Sequence, residues 1–166
     1  KESRDIFVII TSKPTTIYNK TTDKYKDGIH IYIYFKCSRP AKRYILNQIM
    51  EQKVMEKIFS QDFSEWEDIL DMACCHVPPL LYGSCKKNAN ITYKITNVFQ
   101  VKISDNGCAP VIIPDRHFID SFDVLNFAHE MSLNYEDKLI QKPEFEIKDE
   151  YKNNIEVFNL KANQHT

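Results

Sequence analysis

Lys26, Gly28 and His30 occupy alternate positions in Lys26-Asp27-Gly28-Ile29-His30. That order of residues could cradle a phosphate. Lys26 adds charge, Gly28 lets an anion reach the backbone, and His30 donates a hydrogen bond. The plainer alternative is a half-exposed strand histidine beside two tyrosines, and on this stretch alone it is the stronger. A second stretch runs from Asp71 to Lys87. Asp71, after the apolar pair Ile69-Leu70, could project a carboxylate towards a metal ion. Tyr82-Gly83-Ser84 followed by Lys86 and Lys87 could hold an anion through small residues, a hydroxyl donor and ammonium groups. A surface acid and a lysine-tipped hairpin explain the same residues.

Other clusters carry less. Cys74-Cys75-His76 has the residue types of metal ligands without their spacing, which argues against a structural zinc. The five cysteines are odd in number and no pair has the two-residue gap of a zinc knuckle, so reduced thiols of a cytosolic protein are expected. Asp115-Arg116-His117 with Asp120 and Asp123 reads as a helix start, its acids favouring the N-terminus.

The elements that must position these residues follow from the pattern. Ile6-Phe7-Val8-Ile9-Ile10 is a buried strand by length and β-branched content. Residues 11 to 27 are polar and read as a mobile connection. Ile29 to Phe35 alternates, with Ile29, Ile31, Ile33 and Phe35 expected on the core face and His30, Tyr32 and Tyr34 on the open one. A helix is expected over Ala41 to Phe59, starting at Ser38 to Pro40, and a short helix or turn at Ser64 to Leu70. Residues 91 to 103 form a long strand or a hairpin bending near Asn97, with Ile91, Tyr93, Ile95, Phe99, Val101 and Ile103 on one face. Val111 to Ile113 is a short strand and Phe118 to Met131 a helix. From Tyr135 dense charge and Pro143 suggest a linker or extended arm.

Length and charge bound the rest. A chain of 166 residues has room for one ordinary domain, and a net charge of −1 excludes a polybasic protein that binds nucleic acid by charge alone. Only 3 glycines argue against a glycine-rich phosphate loop. No apolar run approaches the ~20 residues that cross a bilayer, so no membrane partner is expected.

Taken together, the two stretches resemble the archaeo-eukaryotic primase superfamily, nearest to the primase half of the primase–helicases of poxviruses, African swine fever virus and other large cytoplasmic DNA viruses. The family's small-x-His motif matches Gly28-x-His30, preceded by Lys26. Its hydrophobic-Asp motif matches Leu70-Asp71, followed by Leu81-Tyr82-Gly83-Ser84-Cys85-Lys86 and then Tyr93. The likeness covers roughly residues 6 to 103 in order. Gly28 stands where the family usually has Ser, and Leu80 where an Arg often precedes the Tyr-Gly-Ser segment. The family's first acidic motif is expected upstream of Ile6, and nothing from Lys1 to Asp5 supplies it, so the chain reads as a piece of something longer.

The resemblance implies an α+β fold, a mixed or antiparallel sheet with an RRM-like catalytic half and flanking helices. Residues 1–134 would be part of the primase domain and 135–166 an extension towards a downstream region. It implies primer synthesis by nucleotidyl transfer with two Mg²⁺ or Mn²⁺ ions. Asp71 would be the metal ligand and, with His30, catalytic; Lys26, Gly28, His30, Ser84 and Lys86 would bind the nucleotide. Partners would be single-stranded DNA template and nucleoside triphosphates, with self-assembly through a linked helicase, in the host cytoplasm. The rival expectation is a non-catalytic module that binds single-stranded nucleic acid, with Tyr32 and Tyr34 as its stacking platform.

Overall fold

A computed structural model of the chain describes residues 4–59, 69–75, 77, 82–85, 91–103, 111–115 and 147–163. The fold is α+β, built on a four-stranded antiparallel sheet. The chain divides into two compact units, Lys1–Phe35 with Leu80–Pro143, and Lys36–Pro79 with Glu144–Thr166.

The first unit holds the sheet. Its strands are β1 (Arg4–Ser12), β4 (Ile29–Ile33), β5 (Lys94–Ile103) and β6 (Val111–Pro114), in the order β4-β1-β5-β6. The apolar run of β1 suits a central strand, which needs apolar residues on both faces. Ile9 is completely buried on one face and Ile6 nearly so on the other. Ile9 lies opposite Tyr32 on β4 and Val98 on β5, so these side chains share a face. Ile9, Tyr34 and Val98 form the core there, with Phe7, Tyr32, Tyr82 and Ile95 packed against them.

The strand alternation of Ile29 to Ile33 is observed, but its faces are reversed. Ile29, Ile31 and Ile33 are more than half exposed, whereas Tyr34 is 4% exposed and belongs to the core. Alternation establishes that two faces differ, not which of them is covered. The register with β1 decides that, and it aligns the Tyr32 side with Ile9.

Residues 94 to 103 form one strand rather than a hairpin, bent by a bulge beside Asn97. Ile10 pairs with Asn97 but Thr11 pairs with Ile95, one residue being skipped. The bulge moves Ile95 onto the face of Val98 and leaves Phe99 and Val101 on the other, so the single apolar face expected for this segment is split in two. The expected mobile connection instead contains a small hairpin, β2 (Ile17–Asn19) with β3 (Lys24–Lys26). Tyr18 and Tyr25 pair across it with ring centroids 5.3 Å apart, and the Tyr18 hydroxyl donates to Asp23 in its turn.

The second unit is helical. Ser38 caps α1 (Arg39–Glu51), its Oγ accepting from the Ala41 N–H, with Pro40 in the first turn. The expected single helix to Phe59 is broken at Lys53, whose φ of 52° is left-handed, before α2 (Val54–Phe59). A 3₁₀ helix spans Met72–Cys75, and the Lys42 ammonium donates to the Cys74 carbonyl at 2.7 Å. The end of the expected extended arm is helical as well, over α3 (Asp149–Asn163). Its Phe158 ring meets Tyr44 of α1 edge-on at 5.9 Å. The helices expected at Ser64 to Leu70 and Phe118 to Met131 lie wholly or largely outside the described residues.

Candidate functional site

His30 is placed by strand pairing. It lies opposite Thr11 on β1, two residues along from the Ile9–Tyr32 pair, and so shares their face. Its ring is held by two phenols. Tyr93, just before β5, stacks on it with centroids 3.9 Å apart and planes 16° from parallel. Tyr32 meets it edge-on at 76°, and the Tyr32 hydroxyl is hydrogen-bonded to His30 Nδ1 at 3.3 Å. Burial raises the pKa of both phenols, with Tyr93 adding to the effect at Tyr32 and the Asp27 charge adding to it at Tyr93. Both therefore stay neutral hydrogen-bonding groups well past neutral pH.

Gly28 is required by space rather than by backbone angle, since its φ is not left-handed. A Cβ there would collide with the Tyr93 hydroxyl and press on Lys13 Cε at 3.2 Å. The absence of a side chain at Gly28 is what admits the Tyr93 ring to its place over His30. Lys13 joins the same group. Its backbone N–H donates to the Gly28 carbonyl at 3.2 Å, and its ammonium lies 5.7 Å from the Tyr93 ring centre. Sequence reasoning missed Lys13 because it lies fifteen residues before Gly28, at the end of β1, where only pairing with β4 brings the two together. Across from the histidine on β1, Thr11 is 1% exposed, and among the described residues its hydroxyl has no hydrogen-bond partner.

Tyr82 packs on the Ile9–Tyr34–Val98 core, so the Tyr82-Gly83-Ser84 turn is anchored to the face of the sheet that carries His30. Gly83 there has φ 82°, the left-handed region that glycine adopts freely. Ser84 is half-buried. Lys26 is the last residue of β3, and Lys86 lies outside the described residues.

Asp71 belongs to the second unit. It is exposed and caps the 3₁₀ helix, its Oδ1 accepting from the Ala73 N–H at 2.9 Å. A carboxylate steadied in this way is the hard oxygen donor that Mg²⁺ or Mn²⁺ takes. Among the described residues no three His, Cys, Asp or Glu side chains gather as a metal site, and Cys37, Cys74, Cys75 and Cys85 are free thiols. Among the described residues no helix is long and apolar enough to cross a membrane. The stacking platform expected from two tyrosines is corrected: Tyr34 is buried in the core and offers no face to a base.

Comparison with known proteins agrees with the residue pattern. Residues 1–99 match the family described as the C962R protein N-terminal AEP domain. The chain is 29% identical over 143 residues to "Putative primase C962R" of African swine fever virus isolate Tick/Malawi/Lil 20-1/1983. It is 28% identical, again over 143 residues, to the protein of the same name from isolate Warthog/Namibia/Wart80/1980. Each alignment covers 85% of this chain and 14% of the viral protein, so the chain spans about a seventh of those relatives. With more than half of its length inside the family match, the chain belongs to the archaeo-eukaryotic primase family, as a partial AEP domain of the C962R type.

Proposed function

We propose that this chain is part of the primase domain of a viral replication protein, and that the domain makes primers by template-directed nucleotidyl transfer. The observation that carries the reading is the sheet face on which His30, fixed between Tyr93 and Tyr32, shares a surface with the anchored Tyr82-Gly83-Ser84 turn, in a chain of this family. On this reading His30, Lys26, Ser84 and Lys86 hold the incoming triphosphate, and Gly28 serves it by admitting the Tyr93 ring that fixes His30. Asp71 is the carboxylate that holds Mg²⁺ or Mn²⁺, which, when bound, activates the attacking 3′-hydroxyl and stabilises the leaving pyrophosphate. Single-stranded DNA is the template, a linked helicase provides for self-assembly, and the host cytoplasm is the place of action.

The test is primer synthesis by the whole protein against nucleotide concentration, with template binding measured in parallel at fixed salt. Asp71→Asn keeps the shape and removes the charge, so it should abolish synthesis and leave template binding intact. Lys86→Ala should raise KM, because an ammonium on the triphosphate acts in ground and transition states alike. His30→Ala should lower kcat as well, since its hydrogen bond strengthens as charge develops. Normal synthesis by Asp71→Asn with loss of template binding would instead support a non-catalytic binding module.

A further inference from the structure

The two nitrogens of His30 are chemically distinct once one of them has a fixed partner. We infer that Tyr32 is a positioning residue whose hydroxyl donates to His30 Nδ1, keeping the neutral ring's proton on Nε2, while the Tyr93 stack fixes the ring plane. The atoms are 3.3 Å apart, and the two residues sit at i and i+2 on one face of β4, so the strand itself holds them together. The direction follows from basicity. An unprotonated imidazole nitrogen is a far stronger acceptor than a phenolic oxygen, and a half-buried phenol needs an acceptor for its proton.

The choice of tautomer has a consequence that rests on the triphosphate reading of His30. A phosphate oxygen only accepts hydrogen bonds. A neutral ring with its proton on Nε2 offers that nitrogen as a donor, whereas a ring protonated on Nδ1 would turn a lone pair towards the anion. Tyr32 thus lets His30 bind phosphate without first becoming charged. Tyr93 contributes by geometry: parallel rings 3.9 Å apart leave the imidazole little freedom to tip.

The experiment is a long-range proton–nitrogen NMR spectrum of the 166-residue chain, ¹⁵N-labelled at histidine. It is recorded at about pH 8, where an ordinary imidazole of pKa ~6.5 is neutral, and His30 is assigned by its loss in His30→Ala. The expected spectrum shows His30 in the Nε2–H form alone. Tyr32→Phe retains the packing ring and should give a mixture of both neutral forms, with magnesium-ATP binding weakened about 3- to 10-fold, as loss of one hydrogen bond predicts. A wild-type His30 carrying its proton on Nδ1, or a tautomer unchanged in Tyr32→Phe, overturns the inference. Should that variant not fold, the wild-type Nδ1 resonance decides: a chemical shift equal to that of a free imidazole acceptor nitrogen, unmoved by a donated hydrogen bond, overturns the inference. Unchanged magnesium-ATP affinity in His30→Ala would overturn the triphosphate reading instead, so the two fail separately.

Discussion

At the scale of single residues, Gly28 and Tyr93 depend on each other. The Tyr93 hydroxyl occupies the space a side chain at Gly28 would need, and the ring cannot retreat without leaving its stack on His30. Gly28→Ala should therefore cost about 1–3 kcal/mol, the usual range for overpacking, and should weaken nucleotide binding through the displaced imidazole. Removing the hydroxyl in Gly28→Ala/Tyr93→Phe should recover much of the stability. A double-mutant cycle by denaturant unfolding measures this, and simple additivity would show that the two positions do not compete for space. Thr11 carries the opposite lesson. Its buried hydroxyl has no partner among the described residues, and valine has the same shape without the polar atom. Thr11→Val should leave stability unchanged or raise it by up to about 1 kcal/mol, avoiding the penalty of an unsatisfied buried group. A clear fall in Tm would mean that the hydroxyl has a partner in solution.

At the scale of elements, the break between α1 and α2 is set by Lys53, a left-handed residue with a Cβ. Lys53→Gly should stabilise the second unit by about 0.5–1 kcal/mol, while Lys53→Val should destabilise it, because a β-branched side chain resists that angle. Thermal unfolding of the two variants reads this directly. The start of α3 gives a pH-dependent case. A hydrogen bond and the charge of Lys152 lower the Asp149 pKa, so this contribution to folding is present above the ordinary carboxylate pKa and lost as pH falls through the lowered one. Asp149→Asn should flatten that acid-side loss of α3 helicity, followed by residue-resolved NMR. What the sequence revealed at this scale has a physical limit. β1, the alternation of β4, the Ser38 cap and the long strand ending at Ile103 are local signals of composition and period, and all are present in the fold. Which face of β4 is covered is decided by its register with β1, a contact twenty residues distant that no alternation encodes. The β2–β3 hairpin was hidden because its stability comes from one tyrosine pair and an aspartate in a polar stretch. α3 was hidden because charge suits an exposed helix as well as a linker.

At the scale of the whole molecule, the candidate residues differ in what the fold explains about them. His30, Gly28 and the Tyr82-Gly83-Ser84 turn are brought to one face of the sheet, and the partners that fix His30, Tyr32 and Tyr93, come from the same unit. The residue types were legible in the sequence, but the stack was not, because Tyr93 lies sixty-three residues from His30 and only strand pairing joins them. Asp71 is an exposed cap of the 3₁₀ helix in the other unit. Within this chain the family likeness assigns the metals that one carboxylate, and a single carboxylate holds Mg²⁺ weakly because the ion keeps most of its water. Binding and chemistry should therefore separate with chain length. The 166-residue chain should bind a nucleoside triphosphate through the His30 face yet fail to extend a primer, while a protein of the viral relatives' full length, about six times as long, should do both. The measurement is triphosphate affinity and primer synthesis on both proteins, with single-stranded template and Mg²⁺ or Mn²⁺. Efficient template-directed synthesis by the 166-residue chain alone would mean that its metals are held by residues other than Asp71 and that the active site has been misplaced.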